Sequence, residues 1–223
     1  MERSVILTKD GSHTISIPEM NVTYHSHHGA IQESLHVFIK AGLLVSDAFG
    51  ASDTSILEMG FGTGLNALLT LIEAERLKRQ IHYTAIELFP LQYEEITALN
   101  YCDQLYRKDL IPIFEKLHQC EWEKDITITP HFTLHKKKES LLQFNTSKLQ
   151  NIIYFDAFAP SAQPKLWTPS IFEKLYSMLL TKGILVTYCS KGDVRRAMQS
   201  AGFIVEKLPG PPGKREMVRA TKK

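Results

Sequence analysis

Three glycines at alternate positions are the first feature of the sequence that could do chemistry. Gly60, Gly62 and Gly64 lie in the segment ILEMGFGTG, after a short apolar run that carries Glu58. Glycine adopts the left-handed conformations of sharp turns and lets a ligand approach the backbone closely. The spacing departs from the G-x-G-x-x-G pattern of dinucleotide-binding folds, and the Gly-Lys-Ser/Thr of a phosphate loop is missing. The segment predicts a ligand-binding turn, with a purely structural turn as the alternative.

The pattern Glu-x-Gly-x-Gly-x-Gly resembles the first motif of S-adenosylmethionine-dependent methyltransferases. Such glycines let the backbone approach the adenosyl and methionyl parts of that cofactor, and amides at the following helix start can meet its carboxylate. Glu87 closes the next apolar stretch, IHYTAIEL, where a carboxylate can accept hydrogen bonds from both ribose hydroxyls. Glu58 can pair with the cofactor's ammonium group, directly or through water. A solvated strand end is the alternative for Glu87.

A second constellation is YFDAFAPSAQPKLW, in which Asp156 follows a nearly continuous apolar run. It resembles amino-methyltransferases, many of which place Asp or Asn here, followed by proline and an aromatic residue. A primary amine is mostly protonated near pH 7, and Asp156 can accept its hydrogen bond or its proton. Carbonyl groups of Phe158–Pro160 can hold the other hydrogen, so that alignment does the rest. A turn or helix-cap aspartate is the alternative for Asp156.

The elements that must position these residues alternate between strand and helix along the chain from residue 54. The predicted strands are SILEM, IHYTAIEL, ITITPHFTL, NIIYFDAF and GILVTYC. Helix starts are predicted at Thr63, Pro90, Thr168-Pro169 and Asp193, with Gly202 as a C-cap. This order predicts an α/β fold with a doubly wound, mostly parallel sheet. Ligands of such sheets bind at the carboxyl ends of the strands, so the glycine loop, Glu87 and Asp156 should face one crevice.

Both ends of the chain carry further β signals. SVILT, HTISI and NVTYH predict three short N-terminal strands, and FIVEKL and REMVRAT predict a C-terminal antiparallel hairpin. A helix should follow the first three strands, with its apolar face on Ile31, Leu35, Phe38 and Ile39. Residues 100–125 are expected to be helical, and Pro130 is expected to shorten or bend the third strand. We therefore expect an N-terminal β extension and helix over residues 1–50, packed on a main domain over 51–223.

Composition narrows the class of protein. The 223 residues carry a formal net charge of +2, and 43% of them are hydrophobic, as in an ordinary globular domain. No apolar run approaches the roughly 20 residues that span a bilayer, and the N-terminus has no signal-peptide pattern. Cys102, Cys120 and Cys189 are too widely spaced to indicate a zinc site or a disulfide framework. A cytoplasmic protein that binds no membrane is expected.

Longer segments between about residues 24 and 218 carry a more specific resemblance. They are TYHSHHGAIQESLHVF, GFGTGLN, IELFPL, FDAFAPSAQPKLWT, VRRAMQSAGF and PGPPGKREM. With them the chain resembles the methyltransferase half of the MnmC-type bifunctional enzymes, which make 5-methylaminomethyl-2-thiouridine at the tRNA wobble position. The resemblance implies a Rossmann-like class I methyltransferase that uses S-adenosylmethionine to methylate the primary amine of 5-aminomethyl-2-thiouridine. It also implies Asp156 as the catalytic residue and Gly60, Gly62 and Gly64 as the cofactor loop.

The matching segments imply further cofactor contacts. Phe61 and Asn66 belong to GFGTGLN, and Glu33 belongs to the first segment, although a glutamate on a helix surface is an equal alternative. The family carries an acidic residue near the end of its third strand, but lysines stand there in LHKKKES. Glu139 is the expected substitute.

The resemblance implies five substrate-binding residues. Phe158 and Pro160 would line the acceptor site, and Trp167 would either stack on a base or pack in the core. Lys214 and Arg215, in the basic C-terminal segment, would meet the phosphates of tRNA.

Two alternative functions are another kind of enzyme and a protein without activity. An aminopropyltransferase-like polyamine synthase shares the fold and a fourth-strand DAF, but such a site needs several carboxylates for its polycation. A cofactor-binding subunit without activity is the third possibility. The flavin-dependent oxidase half of the bifunctional enzymes is not expected, so another enzyme must supply the amine. His25, His27 and His28 have no completing ligand at a suitable spacing, so no metal is expected.

Overall fold

A computed structural model of the protein describes residues 2–45 and 53–223. The expected boundary between residues 50 and 51 lies outside these ranges. Near the N-terminus, a three-stranded antiparallel sheet has the order β1-β2-β3. Its strands are β1 (Ser4–Leu7), β2 (His13–Ile17) and β3 (Val22–Thr23). The three short strands predicted from the sequence are therefore confirmed.

The N-terminal helix departs from the regular helix that the sequence predicts. It starts as α1 (Ala30–Ser34) and continues as a π-helical segment, Leu35–Lys40. The wider turn changes which side chains share a face, so that Phe38 and Ile39 are buried whereas Leu35 is only partly buried.

The main sheet has the strand order β10-β11-β9-β8-β4-β5-β7-β6 within the described ranges. Its strands are β4 (Asp53–Met59), β5 (Gln80–Ile86), β6 (Asp125–Thr129), β7 (Phe132–Lys137), β8 (Gln150–Phe155), β9 (Leu179–Thr187), β10 (Ile204–Pro209) and β11 (Glu216–Thr221). The five from β7 to β9 are parallel, and β6, β10 and β11 form antiparallel pairs. The connections run in opposite directions from β4 and β8, which makes their carboxyl ends the switch point where ligands bind.

The third predicted strand is wrong in one respect. ITITPHFTL forms two antiparallel strands, β6 and β7, joined by a turn at Pro130-His131. Proline has no amide hydrogen for the ladder, so it favours a turn here over a bend within one strand. The turn is held by Glu75, whose Oε1 accepts a hydrogen bond from the His131 amide at 3.0 Å.

Helices cover both faces of the main sheet. Their bounds are α2 (Leu65–Leu77), α3 (Tyr93–Thr97), α4 (Tyr101–Gln104), α5 (Ile111–Gln119), α6 (Pro169–Ser177) and α7 (Gly192–Ser200). No helix among the described residues has the length and apolar character needed to cross a bilayer. Two apolar cores result, one on each face, and β8 contributes alternate side chains to both. The strand β8, which Asp156 directly follows, is therefore packed on both faces.

Three predicted helix starts need correction. The residue before α2 is Gly64 in a left-handed conformation, not Thr63 as an N-cap. The helix α3 begins at Tyr93 and not at Pro90, because Glu95 accepts the Gln92 amide at 2.7 Å and closes its first turn. Asp193 lies inside the first turn of α7, which begins at Gly192. The start at Thr168-Pro169 and the turn at Gly202 are confirmed.

Candidate active site

A cavity opens at the carboxyl ends of β4, β5 and β8, beside the N-terminal sheet. It is lined by the glycine loop and the strand-end acids, and by side chains from the N-terminal segment. Its lining includes Tyr24, His25, Gly60, Phe61, Gly62, Asn66, Glu87, Ser140, Asp156 and Phe158. The crevice predicted from the strand order is thus present.

The glycine loop adopts backbone conformations that only glycine takes easily. Gly60, Gly62 and Gly64 have φ values of +89°, +51° and +71°. Space is restricted as well, since a Cβ atom on Gly62 would lie 2.9 Å from Cδ1 of Tyr24. The loop is therefore a tight turn fitted against the N-terminal segment, and the amides of Gly60 and Phe61 both donate to the Ile86 carbonyl at the end of β5.

Glu87 is fixed by the backbone on both of its carboxylate oxygens. Oε2 accepts a hydrogen bond from the Gly62 amide at 3.0 Å, and Oε1 accepts one from the Phe89 amide at 2.8 Å. Each carboxylate oxygen can accept a second hydrogen bond. Glu87 therefore presents an oriented pair of acceptors to the cavity, as a diol of ribose requires.

Asn66 connects two carboxylates at the floor of the cavity. Its Nδ2 donates to Glu58 Oε1 and to Asp156 Oδ2, both at 2.9 Å. Glu58 was expected to pair with the cofactor directly or through water, but it is fully buried and does not line the cavity, whereas Asn66 does. Burial, together with repulsion from Asp156, raises the pKa of Glu58 well above its ordinary value. Asn66 Oδ1 is buried and has no hydrogen-bond partner among the described residues, which leaves an acceptor for a ligand.

Asp156 has the proton affinity of a base that works at neutral pH. Burial, and then repulsion from Glu33, raise the pKa of Asp156 to about 7, and the hydrogen bond from Asn66 opposes this rise. The strand end is also fixed, because the Asp156 amide donates to the Met59 carbonyl at 3.2 Å. A carboxyl group with a pKa near the working pH can both take up and release a proton.

The segment after Asp156 is tied down through its carbonyl groups. Phe158 O accepts a hydrogen bond from Trp167 Nε1 at 2.9 Å, and Ala159 O accepts the amides of Ala162 and Gln163. The Trp167 side chain is 6% exposed and packs on Phe155, with ring centroids 4.8 Å apart. Trp167 therefore packs in the core, and its stacking on a base is not supported.

Two residues expected at separate sites pair with each other. Lys214 Nζ lies 2.6 Å from Glu33 Oε1, and the Ser26 amide donates to Glu33 Oε2 at 2.8 Å. Glu33 is thus occupied by protein partners, which opposes its expected contact with the cofactor. Lys214 is likewise turned inward, whereas the neighbouring Arg215 is exposed. Of the two predicted RNA contacts, only Arg215 has the expected surface position.

The remaining candidates lie around this centre. Phe61 lines the cavity, and the Phe158 ring meets Tyr24 edge to face at a centroid distance of 5.2 Å. Pro160 is partly exposed beyond the cavity lining. Glu139 Oε1 lies 3.8 Å from Lys137 Nζ, next to Ser140, which lines the cavity.

The lysines that replace the family's third-strand acid do not share one role. Lys136 is fully buried and donates to the carbonyl of His118, at the end of α5. Lys137 pairs with Glu123 at 2.9 Å.

Sequence reasoning missed the support that His118 gives to the glycine loop. Its Nε2 donates to the Thr63 carbonyl at 3.1 Å, and a Cβ atom on Gly64 would lie 2.7 Å from that nitrogen. Burial lowers the pKa of His118 to about 4, so the ring is neutral at pH 7. No local signal marks this contact, because 55 residues separate His118 from Thr63.

The three histidines of the first segment have separate surroundings. His25 is buried beside Thr14, and burial lowers its pKa to about 4. His28 lies against Gly213, while His27 is exposed. Within residues 2–45 and 53–223, no three His, Cys, Asp or Glu side chains come together in a way that could hold a metal ion.

Comparison with known proteins identifies the family. A model for a family described as S-adenosyl-L-methionine-dependent methyltransferase matches residues 100–223, which is more than half of the chain. The chain belongs to this methyltransferase family. Its methyl donor is therefore S-adenosylmethionine, and the predicted Rossmann-like fold is confirmed.

Relatives of the methyltransferase add detail. It is 30% identical over 230 residues to the tRNA 5-methylaminomethyl-2-thiouridine biosynthesis bifunctional protein MnmC of Cupriavidus metallidurans, covering 96% of this chain and 33% of that protein. It is 33% identical over 209 residues to the protein of the same name from Leptospira interrogans, covering 87% of this chain and 32% of that one. These matches confirm the resemblance seen in the sequence. The chain spans about a third of the length of these curated relatives.

Solved structures support the fold of the methyltransferase. MnmC2 from Aquifex aeolicus superimposes with a TM-score of 0.81 at 24% identity, covering 100% of this chain and 70% of that one. A probable spermidine synthase from Corynebacterium glutamicum gives a TM-score of 0.52 at 18% identity, covering 99% of this chain and 76% of that one. Both likenesses concern the fold alone, so the second does not favour the polyamine-synthase alternative.

Proposed function

We propose that the protein transfers a methyl group from S-adenosylmethionine to the primary amine of 5-aminomethyl-2-thiouridine at the wobble position of tRNA. The observation that carries the proposal is Asp156, a carboxyl group with a pKa of about 7 that lines the cavity beside the glycine loop. The MnmC proteins, which are 30% and 33% identical to this chain over the matched residues, support the choice of substrate.

The residues of the cavity fit the cofactor. Glu87 offers two oriented acceptors for the ribose hydroxyls, and amides at the start of α2 suit the carboxylate. The free Oδ1 of Asn66 is an acceptor that suits the ammonium group. Glu139, beside the cavity lining at Ser140, remains our candidate for the adenine side. When bound, S-adenosylmethionine supplies a methyl group on positively charged sulfur.

Asp156 would receive the substrate amine. A primary ammonium ion must lose a proton before its nitrogen lone pair can react, and its ordinary pKa lies several units above 7. Asp156 accepts that proton at Oδ1, since Oδ2 is held by Asn66 at 2.9 Å. The Phe158 and Ala159 carbonyls already accept protein hydrogen bonds, so they mainly shape the rim, with Pro160 beside them.

The tRNA would approach over the exposed side of the β10–β11 turn. Arg215 is exposed there and can contact a phosphate, and the basic clusters elsewhere on the surface add to long-range attraction. A protein that acts on tRNA in this way would work in the cytoplasm.

Single-turnover methylation of an anticodon stem-loop tests the function. One RNA carries 5-aminomethyl-2-thiouridine at the wobble position, and a matched control carries unmodified 2-thiouridine. We expect mass spectrometry of the nucleosides to show one added methyl group on the first RNA and none on the second. Purified protein that binds S-adenosylmethionine but leaves the first RNA unmethylated would contradict the proposal.

A further inference from the structure

The Glu33–Lys214 ion pair is connected through Tyr188 to the segment that follows Asp156. The side chains of the two residues are only 7% and 30% exposed, and their charged atoms are 2.6 Å apart. Lys214 Nζ also lies 3.9 Å from the centre of the Tyr188 ring, in a cation–π contact. The pair is thus a shielded one, unlike a solvated surface pair.

Two further contacts connect the pair to the segment after Asp156 and to the N-terminal segment. The Tyr188 hydroxyl donates to the carbonyl of Ala157, the residue directly after Asp156, at 2.8 Å. A Cβ atom on Gly213 would lie 2.0 Å from the His28 ring, so only glycine lets the β10–β11 turn approach this closely. These contacts hold Lys214 in a fixed position relative to Asp156.

Besides burial and the hydrogen bond from Asn66, the two charged side chains that influence Asp156 are Glu33 and Lys214. Glu58, Tyr83 and Tyr188 also interact with Asp156, and burial raises the pKa of each, which disfavours their charged forms. His25 interacts with both members of the pair and also with Asp10. Glu33 and Lys214 act on Asp156 with opposite signs, because the carboxylate repels the charged form and the ammonium attracts it.

We propose that Glu33 and Lys214 are a positioning pair that sets the charge beside Asp156, and through it the pH range in which the acceptor amine is methylated. The proposal rests on the function proposed above. Lys214 compensates Glu33, so that Asp156 can exist as a carboxylate when the amine arrives. Without this compensation, two carboxylates would compete and Asp156 would hold its own proton.

Opposite single substitutions test the pair, because a merely structural role would not give shifts of opposite sign. We expect Lys214→Met to move the titration of Asp156 upward by about one pH unit, and Glu33→Gln to move it downward by a similar amount, as expected for one charge several ångströms away. The double variant should return near the wild-type value, and Lys214→Arg should keep it. Lys207→Met is the matched control, since Lys207 pairs with Glu216 at 2.8 Å on the same hairpin.

Two measurements separate this proposal from the proposed function. Carbon-13 NMR of the Asp156 carboxyl group, assigned with Asp156→Asn, follows its titration in protein without cofactor or RNA. The pH profile of single-turnover methylation should show the same shifts in its acidic limb. Shifts of the same sign in both variants, or none, would overturn the positioning role, and Glu33→Gln alone decides the sign if Lys214→Met does not fold. Wild-type protein that fails to methylate the RNA would contradict only the proposed function.

Discussion

Gly60 and Asp156 lie against each other at the ends of neighbouring strands, and a Cβ atom on Gly60 would lie 3.1 Å from the Asp156 carbonyl oxygen. The cofactor loop and the candidate base are therefore in direct contact. A displacement of one displaces the other, which gives a first prediction.

Gly60→Ala should weaken binding of S-adenosylmethionine by at least tenfold and lower the free energy of unfolding by about 1–2 kcal/mol, the cost of a left-handed conformation for a residue with a Cβ atom. Calorimetry and thermal unfolding measure the two effects. Gly192→Ala is the control, since that Cβ atom would meet the flexible ends of Arg196, at 3.1 Å, and Arg195, at 3.9 Å. Cofactor affinity equal in both variants would argue against the loop as the binding site.

Glu87→Gln should weaken cofactor binding by about tenfold, because the amide loses one acceptor and must place a donor toward either the Gly62 amide or a ribose hydroxyl. Titration calorimetry at pH 7 gives the dissociation constant. Glu94→Gln, at an exposed position of α3, should leave it unchanged. An unchanged constant for Glu87→Gln would remove Glu87 from the cofactor site.

Asp156→Asn should slow single-turnover methylation about 10²–10⁴-fold near pH 7, and the loss should shrink as pH rises and free amine becomes abundant. Binding of S-adenosylmethionine should change little, because Asn66 can still donate to the new amide oxygen. A pH series of rates checks this. A variant as fast as wild type at pH 7 would show that Asp156 does not take up the proton.

The same substitution should stabilise the cofactor-free protein. Burial and Glu33 raise the pKa of Asp156 to about 7 from an ordinary 3.8, so the folded state binds the proton more tightly than the unfolded state. The contribution of Asp156 to the free energy of unfolding of the wild type therefore falls as pH rises from about 4 to about 7. The free energy of unfolding of Asp156→Asn should exceed that of the wild type by an amount that grows between these pH values, to at most about 4 kcal/mol, and then stays constant. Urea unfolding at pH 5 and pH 8 measures it, and an advantage independent of pH would contradict the raised pKa.

Arg215→Glu should weaken tRNA binding and reduce the slope of log affinity against log salt concentration by about one. Lys148→Glu is the control, because Lys148 is exposed just before the amino end of β8, whereas Asp156 follows its carboxyl end. Filter binding over a salt series measures both, with cofactor affinity as a check on folding. Equal effects of the two variants would indicate non-specific attraction only.

Much of the fold, and the position of the cofactor-site candidates at the strand ends, followed from the sequence, because both depend on local patterns. Strand ends, the glycine loop and a carboxylate such as Glu87 are fixed by apolar runs and by the geometry of parallel sheets. The turn at Pro130 and the π-helical segment were not predicted, since each depends on where the chain packs. The partners of Glu58 and Trp167 were missed for a related reason, because the direction of a side chain is set by tertiary contacts.

The Glu33–Lys214 contact joins residues 181 positions apart in the chain. Loop closure over such a distance comes late when a chain is synthesised from its N-terminus. The glycine loop and Glu87 lie within 30 residues of one another and precede it in synthesis. A ribosome-bound chain therefore completes the glycine loop and Glu87 long before the Glu33–Lys214 pair can form. Under the proposed function, an unfinished chain would lack the pair beside Asp156 while tRNAs already surround it.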